Sequence, residues 1–311
     1  MADTAKLAYV FPGQGSQYVG MGRDLYDGYA SARAVFDAAD AVLGFSLAGL
    51  CFEGPEDELR QTVNAQPALV TTSLACLEAA REAGGAALAE PVFVAGHSLG
   101  EYAALAAAGA LDFRDAVYLA RERGRLMHEA GQLRPGGMAA IIGLDEALLA
   151  EVCRETGTLM ANINCPGQIV ISGDVESLGR AVEMAAAKGA SRVVPLQVSG
   201  AFHTPLMQPA FDGMSAILAG VSFREPSVPI IGNTTARPLA GAAAIREELL
   251  NQLCNCVQWQ RSVEYMVAGG VTGFAEIGPG RVLSGLIRRI DRGAGTQNIG
   301  DAAAVSKLAS P

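Results

Sequence analysis

Residues 91–109, PVFVAGHSLGEYAALAAAG, constrain the fold of this chain more than any other stretch. Val92, Phe93, Val94 and Ala95 form a short apolar run. Gly96-His97-Ser98-Leu99-Gly100 interrupts it, and an alanine-rich segment follows through Glu101, Tyr102 and Leu105. A strand that turns at once into a helix around G-x-S-x-G is the context of a nucleophile elbow. So tight a turn needs positions without a Cβ, which the two glycines supply. Ser98 is thereby predicted at the apex, its hydroxyl exposed above the sheet edge. The free N–H groups and positive dipole end of the new helix would face any oxyanion formed there. The pentapeptide alone could arise by chance in a chain with 37 glycines, but its flanks favour the elbow.

Composition removes several function classes. The chain has 311 residues, half of them hydrophobic, enough for one large domain or two modest ones. A formal net charge of −9 argues against a nucleic-acid binder, which needs a basic face. No apolar run approaches the length of a membrane span. The N-terminal MADTAKLAYVFPG lacks the basic-then-apolar order of a signal peptide, so a cytoplasmic protein is expected. Six cysteines without metal-ligand spacing and only three histidines predict free thiols and no metal site. Gly13-Gln14-Gly15 lacks the third glycine of a dinucleotide fingerprint.

In chain order, a strand over 7–11 ends at the glycine loop Pro12-Gly13-Gln14-Gly15-Ser16-Gln17. Such a loop at a strand's C-terminal end presents free N–H groups where α/β proteins bind ligands. Helices are read between 22 and 82, the last over 66–83 with Pro67 in its first turn, where a missing N–H costs little. Over 115–129, Ala116, Leu119, Ala120, Leu126 and Met127 mark an inner face, and Arg123 falls on the same stripe. An inward arginine needs an anion. Periodicity leaves open whether that anion is an internal Asp or Glu or a carboxylate of the substrate. Residues 137–198 read strand, helix, strand, strand, helix, strand, the ferredoxin-like split βαβ order, with Pro135-Gly136-Gly137 at the entry and Ser199-Gly200 at the exit. The expected fold is therefore α/β: a hydrolase-like large domain with a central, mainly parallel sheet (1–134 and 199–311) and an inserted ferredoxin-like domain (135–198). His203 sits in the loop after the insert, and the order Ser then His suits a hydrolase-like core. The tail after Gln297 is small and polar and is expected to pack loosely.

Ser98 and His203 make a nucleophile and base pair, but no acidic residue announces itself as a third member. A backbone or amide carbonyl could hold the imidazole tautomer instead. At this point the sequence resembles a known family. FPGQGSQ at 11–17, NAQPAL at 64–69, GHSLGEY at 96–102, RERG at 121–124, NCPGQ at 164–168, AFHTPLM at 201–207, VQW at 257–259 and EIGPG at 276–280 are together similar to the malonyl-CoA:acyl carrier protein transacylases. The likeness covers nearly the whole chain.

The resemblance implies an acyltransferase that moves malonyl from malonyl-CoA to the phosphopantetheine thiol of acyl carrier protein, with no bound cofactor. It implies Ser98 as nucleophile, His203 as general base and acid, and Gln258 holding His203 through a carbonyl. Backbone N–H groups of Gln14 and Leu99 would form the oxyanion hole. Arg123 would bind the free carboxylate, which favours the substrate reading of that arginine. Gln66 and Asn164 would also contact substrate, and Phe202 would narrow the acyl pocket toward malonyl. Cys256 departs from the proline that commonly precedes VQW, a change that bears on where Gln258 lies. Because carrier proteins are usually acidic, docking needs a local basic patch; Arg281, Arg288, Arg289, Arg292, Lys188 and Arg192 are candidates. A monomer is expected. The rival readings are an acyltransferase that loads a polyketide synthase, a serine thioesterase or other hydrolase, and a non-catalytic carrier-binding subunit.

Overall fold

The computed structural model describes residues 6–85 and 88–308. In chain order its strands are β1 (Leu7–Phe11), β2 (Phe93–Gly96), β3 (Gly136–Ile142), β4 (Leu159–Cys165), β5 (Gln168–Asp174), β6 (Arg192–Pro195), β7 (Ile230–Ile231), β8 (Gly273–Ile277) and β9 (Gly295–Ile299). They form two sheets. The larger has the order β7-β2-β1-β8-β9, and every pair in it is parallel. Helices cover both its faces, which is why β1 and β2 read as unbroken apolar runs rather than alternating ones. The smaller sheet, β4-β5-β3-β6, is antiparallel throughout, and the helices Glu146–Thr156 and Val175–Ala187 complete the βαββαβ order. The fold is thus α/β with a central parallel sheet and a separate small antiparallel one.

The small sheet is tied to the large one by more than its two chain crossings. Val257 bridges β4 in parallel: its N–H donates to Ala161 O at 2.8 Å and its carbonyl accepts from Ile163 N at 2.9 Å. Arg261 pairs with Glu146 at 2.7 Å. Arg289 donates to Gln168 Oε1 at 2.5 Å and to Pro166 O at 3.1 Å. Buried Glu276 on β8 accepts from the N–H groups of Leu283 and Ser284 at 2.9 and 2.8 Å. A carboxylate there suits the positive end of the helix Val282–Ile290 and fixes it beside the cleft between the sheets.

Two local expectations need correction. The helix bearing Pro67 begins a turn earlier, at Thr62, and runs to Gly84, so Pro67 lies inside it. Proline cannot donate to the carbonyl four residues back. Val63 O is satisfied instead by Arg121 Nη1 at 3.0 Å. The tail is also ordered. β9 pairs with β8 over its full length, and Asp301 caps the helix Ala302–Ser306, which packs on the helix Thr62–Gly84. Residues 309–311 of that tail lie outside the described residues. No helix among the described residues is long and apolar enough to cross a membrane.

Candidate active site

Ser98 stands between β2 and the helix Gly100–Ala107 with φ of 50°, the left-handed region. A serine there costs about 1–2 kcal/mol, so the surroundings must hold it. Asn233 does so: its Oδ1 accepts from Ser98 N at 2.7 Å while its Nδ2 donates to Gly96 O at 2.8 Å. The glycines are obligatory for packing. A Cβ at Gly96 would lie 2.0 Å from Gly100 C, and one at Gly100 would lie 2.1 Å from Phe11 O. The elbow helix is thus pressed directly against the end of β1.

Ser98 Oγ lies 2.8 Å from His203 Nε2. His203 also has a positive φ, 60°, which turns the loop after the small sheet back over the elbow. Its Nδ1 lies 2.5 Å from the main-chain carbonyl of Gln252. A carbonyl can only accept, so Nδ1 carries the proton and Nε2 is free to accept from the serine. Burial, and next the charge of Arg123, push the imidazole down to about 3. It is therefore neutral, as a base must be before it acts.

Arg123, on the helix Phe113–Leu133, is almost wholly buried and points at the same spot. Its Nη1 donates to Gln66 Oε1 at 2.8 Å; its Nη2 donates to Gln252 Oε1 at 2.6 Å and to Ser98 Oγ at 3.1 Å. Among the described residues it makes no ion pair, and its Nε has no hydrogen-bond partner. Among the described residues, no internal Asp or Glu pairs with it, as the first reading of the inward arginine requires. The groups surround a cavity of about 240 Å³ between the sheets, walled on one side by Met138, Ala140 and Val170 of the small sheet. Gln14 and Leu99 line it, and their backbone N–H groups find no acceptor among the described residues. A nucleophile, a neutral base, two free N–H groups and an unpaired guanidinium around one cavity suit acyl transfer from an anionic donor.

Similarity to known proteins agrees with this chemistry. The acyl transferase domain family matches residues 8–309. The chain belongs to that family. It is 47% identical over 302 residues to the malonyl CoA-acyl carrier protein transacylase of Bacillus subtilis (strain 168), covering 96% of this chain and 94% of the relative. The Escherichia coli (strain K12) protein of the same name is 46% identical over 289 residues, covering 92% and 93%. Among solved structures, the malonyl CoA-acyl carrier protein transacylase of Coxiella burnetii superposes with a TM-score of 0.94 at 39% identity, covering 97% of this chain and 96% of that one. A type II PKS acyl-carrier protein in complex with its malonyl-transacylase gives 0.93 at 41% identity, covering 98% and 99%.

Within this family frame, two expected site residues lie elsewhere. The carbonyl that holds His203 belongs to Gln252, not Gln258. Gln258 is half-buried and opens the helix Trp259–Ala268; its carbonyl accepts from Ser262 N at 2.9 Å and its side chain meets Arg261. The Val257 bridge to β4 fixes Gln258 there, away from the imidazole. Gln66 is fully buried and holds Arg123 rather than lining the cavity. Phe202 and Leu99 do line it. So does Asn164, whose Oδ1 accepts from His97 Nε2 at 2.8 Å. Sequence reasoning missed Gln252, Asn233 and Glu101. Gln252 had a signal: Ile245, Glu248, Leu249, Gln252 and Leu253 are the buried stripe of the helix Gly241–Cys254, and two of them are polar.

Proposed function

We propose that this acyltransferase moves malonyl from malonyl-CoA to the phosphopantetheine thiol of an acyl carrier protein, through a malonyl ester on Ser98. The single observation that carries this reading is Arg123: a buried guanidinium without a carboxylate, 3.1 Å from the nucleophilic oxygen. A donor whose carboxylate lies one methylene beyond the reacting carbonyl places that anion within the arginine's reach. An uncharged acetyl donor leaves the buried cation unpaired.

The two halves of the reaction mirror each other. His203 Nε2 takes the proton of Ser98 Oγ as that oxygen bonds to the thioester carbon. The N–H groups of Gln14 and Leu99 receive the developing oxyanion. The C–S bond breaks, and the leaving CoA sulfur takes the proton from Nε2. The carrier thiol then enters, gives its proton to Nε2 and attacks the ester; Ser98 leaves and recovers the proton. Ping-pong kinetics follow. Throughout, the Gln252 carbonyl keeps the Nδ1 proton in place, as a carboxylate does in a triad.

For docking, the protein's acidity requires a local basic surface. Arg289 is engaged with Gln168 and Pro166, and Lys188 is paired with Glu151 and Glu155. Arg281 and Arg292, and Arg288, which donates only to Thr296 Oγ1, are exposed on and beside the helix Val282–Ile290, whose Val282, Leu283 and Leu286 line the cavity, and are the better candidates. The test is direct. The protein is mixed separately with malonyl-CoA, acetyl-CoA and methylmalonyl-CoA, quenched, and the intact chain weighed. A malonyl adduct absent from Ser98→Ala is expected. Steady release of free malonate without a thiol acceptor, with no adduct, would make the protein a hydrolase.

A further inference from the structure

Glu101 is wholly buried, does not line the cavity and has no part in the steps above. It makes no ion pair among the described residues, yet both its oxygens are engaged. Oε2 accepts from Gln252 Nε2 at 2.7 Å, and Oε1 accepts from Asn233 N at 3.1 Å. We propose that Glu101 is a positioning residue that sets the orientation of the Gln252 side-chain amide and, through it, the competence of Arg123 to receive a carboxylate. The proposal rests on the malonyl reading above.

Donor and acceptor matching fixes the amide. An amide side chain can be placed either way round, and its two ends differ only in whether they donate or accept. Two donors on a carboxyl group match the carboxylate form, which offers acceptors alone. Burial and Glu248 push this carboxyl up to about 8, and the hydrogen bonds from Asn233 and Gln252 only partly oppose them; the donors aimed at both its oxygens are what favour the carboxylate form here. With a carboxylate at 101, Gln252 must point Nε2 toward it, where Nε2 also reaches Ser98 O at 3.2 Å. Oε1 is then forced toward Arg123 Nη2 at 2.6 Å. Turned the other way, the amide would set oxygen against oxygen at Glu101 and N–H against N–H at Arg123. The positive charge of Arg123 and the negative charge of Glu101 thus face each other across one amide, and the guanidinium is held without being neutralised. A direct ion pair would have neutralised the charge that a substrate carboxylate needs.

Glu101→Gln tests this. Asn233 N is a main-chain donor and takes the new amide's oxygen, which leaves NH₂ facing Gln252. Gln252 then turns its oxygen to residue 101 and its NH₂ to Arg123. Single-turnover loading of Ser98, read by intact mass, is expected to fall about 10- to 100-fold for malonyl-CoA and less than about threefold for acetyl-CoA. A merely structural glutamate predicts equal losses for both donors, or a lower melting temperature with unchanged loading; either result overturns the proposal. Should the single variant not fold, the exchange Glu101→Gln with Gln252→Glu restores donor to acceptor at the shared contact. It places a carboxylate directly on Arg123 and keeps the main-chain carbonyl on His203. That protein is expected to lose malonyl loading at least about 100-fold, and by more than it loses acetyl loading; malonyl loading at the parent rate would refute the inference. If the parent protein itself shows no preference for malonyl, the functional reading fails first, and that outcome is separate from any comparison of variants.

Discussion

Arg123→Ala isolates the feature on which the proposed donor selection depends. The guanidinium is buried, and its Nε has no hydrogen-bond partner among the described residues. Removing one partner of a buried charge pair costs about 3–5 kcal/mol. Alanine leaves a space that water can enter, so the lower end applies, and about 3 kcal/mol is roughly a 150-fold loss in malonyl loading. Acetyl never paired with the guanidinium, so its loading is expected to change less than about tenfold. The pH profile provides a second readout. The charge of Arg123 is, after burial, the main cause that holds His203 down to about 3. Without it the imidazole titrates higher, toward its ordinary range near 6.5. Only neutral His203 accepts the serine proton, so the acid limb of kcat/KM moves to higher pH in the variant. On the acid side of its shifted limb the variant loses activity that the parent retains, and it regains that activity as the pH rises. Rapid-quench loading with each CoA ester across pH 4–8 measures both effects. Equal losses for malonyl and acetyl, with an unmoved acid limb, would mean that Arg123 supports the fold and does not select the donor.

Three further outcomes are expected. Gly100→Ala puts a Cβ 2.1 Å from Phe11 O, so a soluble, wild-type-like melting transition in that variant would contradict the close contact between the elbow and β1. Phe202→Ser enlarges a buried wall of the cavity and is expected to raise methylmalonyl loading relative to malonyl by about tenfold, the worth of one methyl group in an apolar pocket; an unchanged ratio in the adduct-mass assay counts against Phe202 as a size filter. Arg288→Glu with Arg292→Glu is expected to raise KM for the carrier protein about tenfold at low salt while loading from malonyl-pantetheine stays constant; a salt-independent KM would remove these arginines from the docking surface.

How legible the site was depends on whether a residue is fixed by its neighbours in sequence or by packing across the molecule. Ser98 was legible because a strand, two glycines and a helix within one short stretch determine its geometry. Arg123 was legible because its position on an apolar helical stripe is a local fact. Its partners are not local: Gln66 lies 57 residues before it and Gln252 lies 129 after it. Gln252 could have been flagged by the same rule that flagged Arg123, since Glu248 and Gln252 interrupt the buried stripe of their helix. The motif around Gln258 drew the assignment instead, and there the β4 bridge at Val257 governs the geometry. Glu101 escaped for a different reason. Its helix is buried from Gly100 through Leu105, so it has no polar face against which an inward carboxylate could stand out. Ser98 and Gln14 sit at strand ends and Arg123 on a periodic helix, where local rules operate. Those that hold them are chosen by hydrogen-bond matching between distant elements, which periodicity does not encode. A buried chain running from Asn233 through Glu101 and Gln252 to Arg123 makes this concrete: each contact dictates the direction of the next, so the site's chemistry is specified by donor and acceptor order as much as by residue type.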